Sequence, residues 1–277
     1  MGNPPSNDLA TSRHGTVLES VEDLREQLSR PATSKERQLE GTATAQPGDA
    51  LRFRPLLRPP MALLRVFDDG EDGGELVRIR KSPFVLGRVE GDLGIPHDDL
   101  ISTKHAEISR RQEGGRFAWY LKDLGSMNGT FVRVTAGVLR PGQIVLIGGN
   151  RYQFVLAESQ AANPVSKGTS HWQQLSAEAV ARLQPALVEL SVDGAGQRYP
   201  LTAGENWVGR DATHCTIVLD DPMVSHRHAR IYSDARGRWC VENAKSVNGV
   251  WAQVDEVPLG NGGYFRCGEQ RFAIRVM

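Results

Sequence analysis

Residues 100–108 read Leu-Ile-Ser-Thr-Lys-His-Ala-Glu-Ile, and residues 223–231 read Met-Val-Ser-His-Arg-His-Ala-Arg-Ile. Each stretch places Ser-x-x-His-Ala ahead of an apolar run, and the serines lie 123 positions apart (225 minus 102). Working outward, Phe-Val-Leu-Gly-Arg ends at Arg88 and Asn-Trp-Val-Gly-Arg ends at Arg210, an offset of 122. Downstream, Ser126-Met-Asn-Gly129 recurs as Ser246-Val-Asn-Gly249, an offset of 120. Three spaced signatures, repeated in order at nearly constant offset, indicate two copies of one fold.

The sequence around these landmarks is β in texture. ALLRVF, ELVRIR, FVLG, AEISRR, FAWYLKD, TFVRV, QIVLI and YQFVL are short segments rich in β-branched and aromatic residues, set off by GEDGG, QEGG, GSMNG and GGN. Short strands at regular spacing with glycine-rich turns predict an all-β sandwich or barrel. The texture stops at residue 157, resumes at 186 and runs to the last residue. The expected organisation is therefore a tail over 1–60, a first sandwich over 61–157, a linker over 158–185, and a second sandwich over 186–277 that ends without a tail.

The tail is rich in Pro, Ser, Thr and Ala and is expected to be largely disordered. One stretch has helical spacing, with Val17, Val21, Leu24 and Leu28 behind a capping-box pair, Thr16 and Glu19. In the linker, Ser176 reads as an N-cap and Pro185 as a stop for a short helix.

Composition bounds the function. The 277 residues carry 33 basic and 33 acidic side chains, so no overall field favours nucleic acid or an anionic membrane. No apolar run reaches the roughly 18 residues of a membrane span, and the N-terminus has no secretory h-region, which predicts a cytoplasmic location. Met1-Gly2 with Ser6 fits a lipidation pattern only loosely, with Pro4 and Pro5 inside it. Three cysteines without a CxxC pair predict reduced, buried thiols rather than a disulfide or zinc framework. The Ser-His-Arg-His stretch lacks a second ligand cluster, so no metal or other cofactor is expected. No phosphate-loop, GxSxG, HExxH or kinase signature is present, and the chain reads as a non-enzyme.

The repeated residues have a shared chemistry. Arg88 and Arg210 offer planar forks of donors suited to phosphate. Ser102 and Ser225 can donate a hydroxyl. Asn128 and Asn248 can donate and accept at once, as holding a peptide backbone requires. All fall at strand ends, where a sandwich holds its binding loops rigidly. His105 and His228 read as structural, bonding loop backbone.

Gly-Arg, then Ser-x-x-His, then Ser-x-Asn-Gly resembles the core signature of the forkhead-associated (FHA) domain, over about two thirds of the chain. The resemblance implies two tandem SMAD/FHA-type β-sandwiches that bind phosphothreonine peptides through loops at one apex. Family members also commonly read the residue three after the phosphothreonine. Carried over, Arg88, Ser102, Arg210 and Ser225 would hold phosphate, with Thr103, Lys104, His226 and Arg227 beside it. Asn128 and Asn248 would hold the peptide. Gly87, His105, Ser126, Gly129, Gly209, His228, Ser246 and Gly249 would support the loops.

The sequence departs from the pattern at Met127 and Val247, where a threonine would add a phosphate contact, and at Val250, where threonine is commoner. The first copy is the closer match. The implied role is an adaptor in Ser/Thr-kinase signalling, whose partner is a kinase or its substrates. Two sites would give avidity for a doubly phosphorylated partner. Tail threonines (Thr11, Thr16, Thr33, Thr42, Thr44) offer self-recognition. The alternative is a phosphorylation-independent structural or oligomerising scaffold.

Overall fold

A computed structural model describes residues 17–18, 60–67, 73–156, 183–191 and 194–276. These residues are all-β, without a helix. The first repeat supplies β2 (Ala62–Phe67), β3 (Glu75–Ile79), β4 (Phe84–Gly87), β5 (Leu93–Gly94), β6 (Ala106–Glu113), β7 (Arg116–Asp123), β8 (Thr130–Val138), β9 (Ile144–Ile147) and β10 (Asn150–Val155). The second supplies β11 (Ala186–Ser191), β12 (Gly194–Pro200), β13 (Asn206–Gly209), β14 (Ile217–Val218), β15 (Ala229–Ser233), β16 (Trp239–Asn243), β17 (Val250–Val254), β18 (Glu256–Leu259), β19 (Tyr264–Cys267) and β20 (Gln270–Val276). Ahead of them lies β1 (Val17–Leu18). Period-two patterning makes these segments strands: in β2, Ala62, Leu64 and Val66 are buried while Leu63, Arg65 and Phe67 are half-buried.

The two sequence repeats are not the two packing units. One five-stranded sheet has the order β18-β7-β6-β4-β5, so a strand of the second repeat completes a sheet of the first. Opposite it, β2 pairs with β3 and with β20, and β19 bridges β20 to the start of β8. The other sandwich is crossed in the same way. β10 pairs with β11, β9 with β17, and the end of β8 with β16. Each sandwich thus combines the early strands of one repeat with the late strands of the other. The expectation that each sandwich is one contiguous stretch, 61–157 or 186–277, is corrected by this pairing.

Turn chemistry explains the crossing. Where the chain reverses, glycines take positive φ, as at Gly114 and Gly115 (56° and 82°), Gly148 (65°) and Gly268 (58°). The crossing segments have no such turn. Val134 and Thr135 are β-branched and the strand continues through Ala136, so β8 leaves β17 at Val134 and joins β16 from Ala136. Only Asp255 separates β17 from β18. Where they cross, β8 and β17 pair antiparallel from Thr130↔Val254 to Val134↔Val250.

The core runs unbroken through both sandwiches. Phe265 and Phe272 of the late strands stack at 4.8 Å beside Leu64 and Val132 of the first repeat. On the opposite face of the crossing strands, Phe131, Leu146 and Trp251 form a second buried cluster with Ile144 and Tyr264 against it. Cys215, Cys240 and Cys267 are free and buried.

Val17–Leu18 is extended against Val134 and Ala136 of β8, not helical as the Thr16 capping signature suggested. A two-residue strand satisfied by a neighbouring sheet overrides marginal helix propensity. The rest of that helix, the tail threonines and the linker helix lie outside the described residues. No helix of the described residues is long and apolar enough to cross a membrane.

Candidate functional site

Main-chain bonds set each arginine beside its serine. Arg88 leaves β4 with its amide donating to Ser102 O (2.9 Å), and Arg210 leaves β13 with its amide donating to Ser225 O (3.1 Å). The preceding glycines permit that approach. A Cβ at Gly87 would stand 2.2 Å from Thr103 O, and one at Gly209 would stand 2.1 Å from His226 O. No side chain fits there.

Two buried histidines join the serine loop to the asparagine loop. His105 Nδ1 accepts from Ser102 N (3.1 Å), and His228 Nδ1 accepts from Ser225 N (3.0 Å). That leaves the proton on Nε2, which donates to Gly129 O (3.2 Å) and Gly249 O (3.0 Å) respectively. Burial lowers the pKa of both rings and holds them neutral, the form these bonds need.

The binding atoms are then oriented. Ser102 Oγ accepts from Met127 N (3.0 Å) and Ser225 Oγ from Val247 N (3.4 Å), which leaves each hydroxyl proton to donate elsewhere. Asn128 Nδ2 donates to Leu100 O (2.9 Å) and Asn248 Nδ2 to Met223 O (2.8 Å). Ser126 Oγ donates to Asp123 (2.6 Å) and accepts from Gly129 N (3.0 Å); Ser246 Oγ donates to Asn243 (2.6 Å). Thr130 adds a bond to Asp123 (2.7 Å), whereas Val250 has no hydroxyl to offer. Burial raises the Asp123 carboxyl, and the bonds from Ser126 and Thr130 outweigh it, so the group stays ionised below the usual range.

The flanking residues differ in kind. Thr103, Lys104, His226 and Arg227 are exposed on the serine loops. Lys104 pairs with Glu90 (3.1 Å), and Arg227 stacks 3.6 Å above the Trp207 ring. Arg88 Nη1 pairs with Asp99 Oδ1 at 2.9 Å, but Asp99 is 92% exposed, so the contact is a surface one. Arg210 is exposed and meets no carboxylate among the described residues. No group of three or more His, Cys, Asp or Glu that could hold a metal occurs among those residues.

Sequence reasoning missed the residues that fasten the serine loops. Asp98 and Asp221 are buried, 123 positions apart like the serines. Asp98 accepts from Leu100 N (2.9 Å) and from Glu269 N (2.7 Å) in the β19–β20 turn of the other repeat. Asp221 accepts from Met223 N (2.7 Å) and from Gly149 N (2.7 Å) in the β9–β10 turn. Comparing the repeats would have exposed both, and Asp123 with Asn243 too.

The family model described as FHA domain matches residues 84–148 and 206–268, which contain the arginine, serine and asparagine loops of both repeats. The protein FhaB of Mycobacterium tuberculosis (strain ATCC 25618 / H37Rv) is 36% identical over 87 residues, covering 30% of this chain and 54% of the relative. FhaB of Mycolicibacterium smegmatis matches to the same extent, so the chain spans about half the length of these relatives. The crystal structure of full-length yeast Pml1p is 29% identical over 31% of this chain and 69% of its own, with a TM-score of 0.25. The two model matches fall on the two blocks that carry Gly-Arg, Ser-x-x-His and Ser-x-Asn-Gly, which is consistent with two tandem copies of the forkhead-associated domain.

Proposed function

We propose that the chain is a phosphothreonine-peptide-binding adaptor with two sites, and that its ligand is a protein phosphorylated by a Ser/Thr kinase. The observation that carries this reading is the same constellation built twice. An arginine and a serine hydroxyl are locked together by main-chain bonds, and an asparagine clamp is tied to them through a buried neutral histidine. A dianionic phosphoryl group takes the guanidinium fork and the hydroxyl proton; the asparagine amide takes the adjacent peptide backbone. Nothing in the arrangement pairs a nucleophile with a general base, which favours binding over catalysis.

Thr103 and Lys104 flank the first phosphate position; His226 and Arg227 flank the second. Exposed apolar side chains rim both sites. These are Leu100 and Met127 at 44% and 90%, and Met223 and Val247 at 52% and 84%. They offer contact to peptide side chains beside the phosphothreonine. Titration of a phosphothreonine peptide library against wild type, Arg88→Ala, Arg210→Ala and the double variant tests the reading. Binding is expected to fall in each single variant and vanish in the double one. Undiminished binding in the double variant, or equal binding of the unphosphorylated peptide, would leave only a scaffold role.

A further inference from the structure

We propose that the two sites are built for a two-fold symmetric partner: a homodimer carrying one phosphothreonine on each subunit. This rests on the phosphothreonine reading above and goes beyond it in naming the geometry of the ligand.

The crossing ribbon carries a dyad. Its register runs Thr130↔Val254, Phe131↔Gln253, Val132↔Ala252, Arg133↔Trp251 and Val134↔Val250. Adding the 120-residue repeat offset turns Thr130 into Val250 and Val134 into Val254, so the outer pairs exchange and Val132↔Ala252 maps onto itself. Three further kinds of cross-repeat contact come in matching pairs. Asp98 holds the Glu269 amide while Asp221 holds the Gly149 amide. The Gln253 side chain packs under Gly129 while Arg133 packs under Gly249. β18 completes the sheet of β7 while the end of β8 completes that of β16.

Two consequences follow for a ligand. The loops 125–129 and 245–249 enter the ribbon at its opposite ends, at Thr130 and Val250, four residues or about 14 Å apart along the strands. Two copies of one fold grip peptide in the same sense relative to their own sandwich, so the dyad that relates the sites relates the two bound peptides as well. The two threonines of one short phosphorylated segment follow each other head to tail, a relation that no two-fold axis generates, whereas a symmetric dimer presents them already related by a dyad. The apolar rims also match position for position, Leu100 with Met223 and Met127 with Val247, as two copies of one peptide require. Because β2–β20 and β10–β11 ladders cross between repeats, this spacing is fixed by strand pairing and not by the linker expected over 158–185.

The test uses the full chain. A phosphothreonine peptide is selected from a library on the Arg210→Ala protein. It is then presented three ways: alone, as two copies joined through their N-termini across a short symmetric spacer series, and as a head-to-tail tandem of equal spacer length. Binding and stoichiometry are measured by calorimetry and analytical ultracentrifugation. The N-to-N pair is expected to bind one chain per pair, at least tenfold tighter than the single peptide. That gain is expected to vanish in Arg88→Ala and in Arg210→Ala, and to survive insertion of 20 Gly/Ser residues between positions 165 and 166. Single-peptide binding without that gain, a larger gain for the tandem, or a gain abolished by the insertion overturns the dimer proposal alone. Absence of single-peptide binding to every form overturns the underlying phosphothreonine reading as well.

Discussion

The two sites share a scaffold and differ in charge. At the first, Arg88 is bridged to Asp99 and Lys104 to Glu90, so both cations carry a counter-ion on the same loops. At the second, no carboxylate among the described residues meets Arg210; Arg227 sits over the Trp207 ring, and the carboxylate Asp211 is engaged by His214. The clamps differ as well, for Asn128 Oδ1 already accepts from Arg151 (3.3 Å) while Asn248 is held through its Nδ2. A phosphate arriving at the first site would meet a guanidinium already bridged to a carboxylate, and at the second one that lacks such a partner. Sequence similarity to the family favours the first copy; the electrostatics favour the second.

The largest expected effect is on ligand affinity. Hydrogen bonds to charged groups contribute about 1.5–3 kcal/mol, so Arg210→Ala should weaken phosphopeptide binding at its site roughly 10- to 100-fold. Arg88→Ala should cost its own site less, because wild-type Arg88 already spends part of its attraction on Asp99. Calorimetry on each single variant reads the two sites separately, and equal losses would erase the asymmetry.

The next effect treats the sites alike. His105→Ala or His228→Ala strands a buried serine amide and a glycine carbonyl, at about 2–3 kcal/mol of stability. Both rings have folded pKa values lowered by burial. Below about pH 6.5 the unfolded chain takes up protons that the folded chain refuses, so the stabilisation present above that pH is lost as pH falls. Urea unfolding at pH 7.5 and 5.5 should show wild type losing stability on acidification, with a shallower loss in the variants. Stability that rises on acidification would contradict the neutral-histidine assignment.

The smallest effect isolates the counter-ion. Exposed ion pairs contribute about 0.2–1 kcal/mol, so Asp99→Ala, measured in the Arg210→Ala background, should tighten the first site by up to about fivefold. Added salt should narrow that gain. An unchanged affinity would mean that Asp99 does not compete with phosphate.

Much of this was legible in the sequence, for physical reasons. Period-two burial marks strands such as β2, and the need for one arginine, one hydroxyl and one amide at an apex marks Arg88, Ser102 and Asn128. The structural role of His105 and His228 follows from their place ahead of a buried strand. Strand partnership was not legible. Both repeats carry the same late strands, so β20 buries Phe272 and Ile274 equally well against either β2 or β11, and alternation does not distinguish the two. Only the missing turn at Val134-Thr135-Ala136 and the single Asp255 carry the signal. Asp98 and Asp221 share the 123-residue spacing of the serines, but that spacing alone does not give their role, which depends on amide partners from the other repeat. Asp99 was visible, but its reach to Arg88 was not.

Gly148 and Gly268 test the crossed construction and the two sites together. Each has positive φ, and a Cβ at Gly268 would stand 2.5 Å from Asp98 Oδ2, while one at Gly148 would stand 2.3 Å from Asp221 Oδ2. Phosphopeptide affinity is measured for Gly148→Ala and Gly268→Ala, each in the Arg88→Ala and Arg210→Ala backgrounds. Loss should cross between repeats, with Gly268→Ala weakening the Arg88 site and Gly148→Ala weakening the Arg210 site. If each alanine instead damages the site of its own repeat, the strands are not exchanged and the account of how these sites are held is wrong.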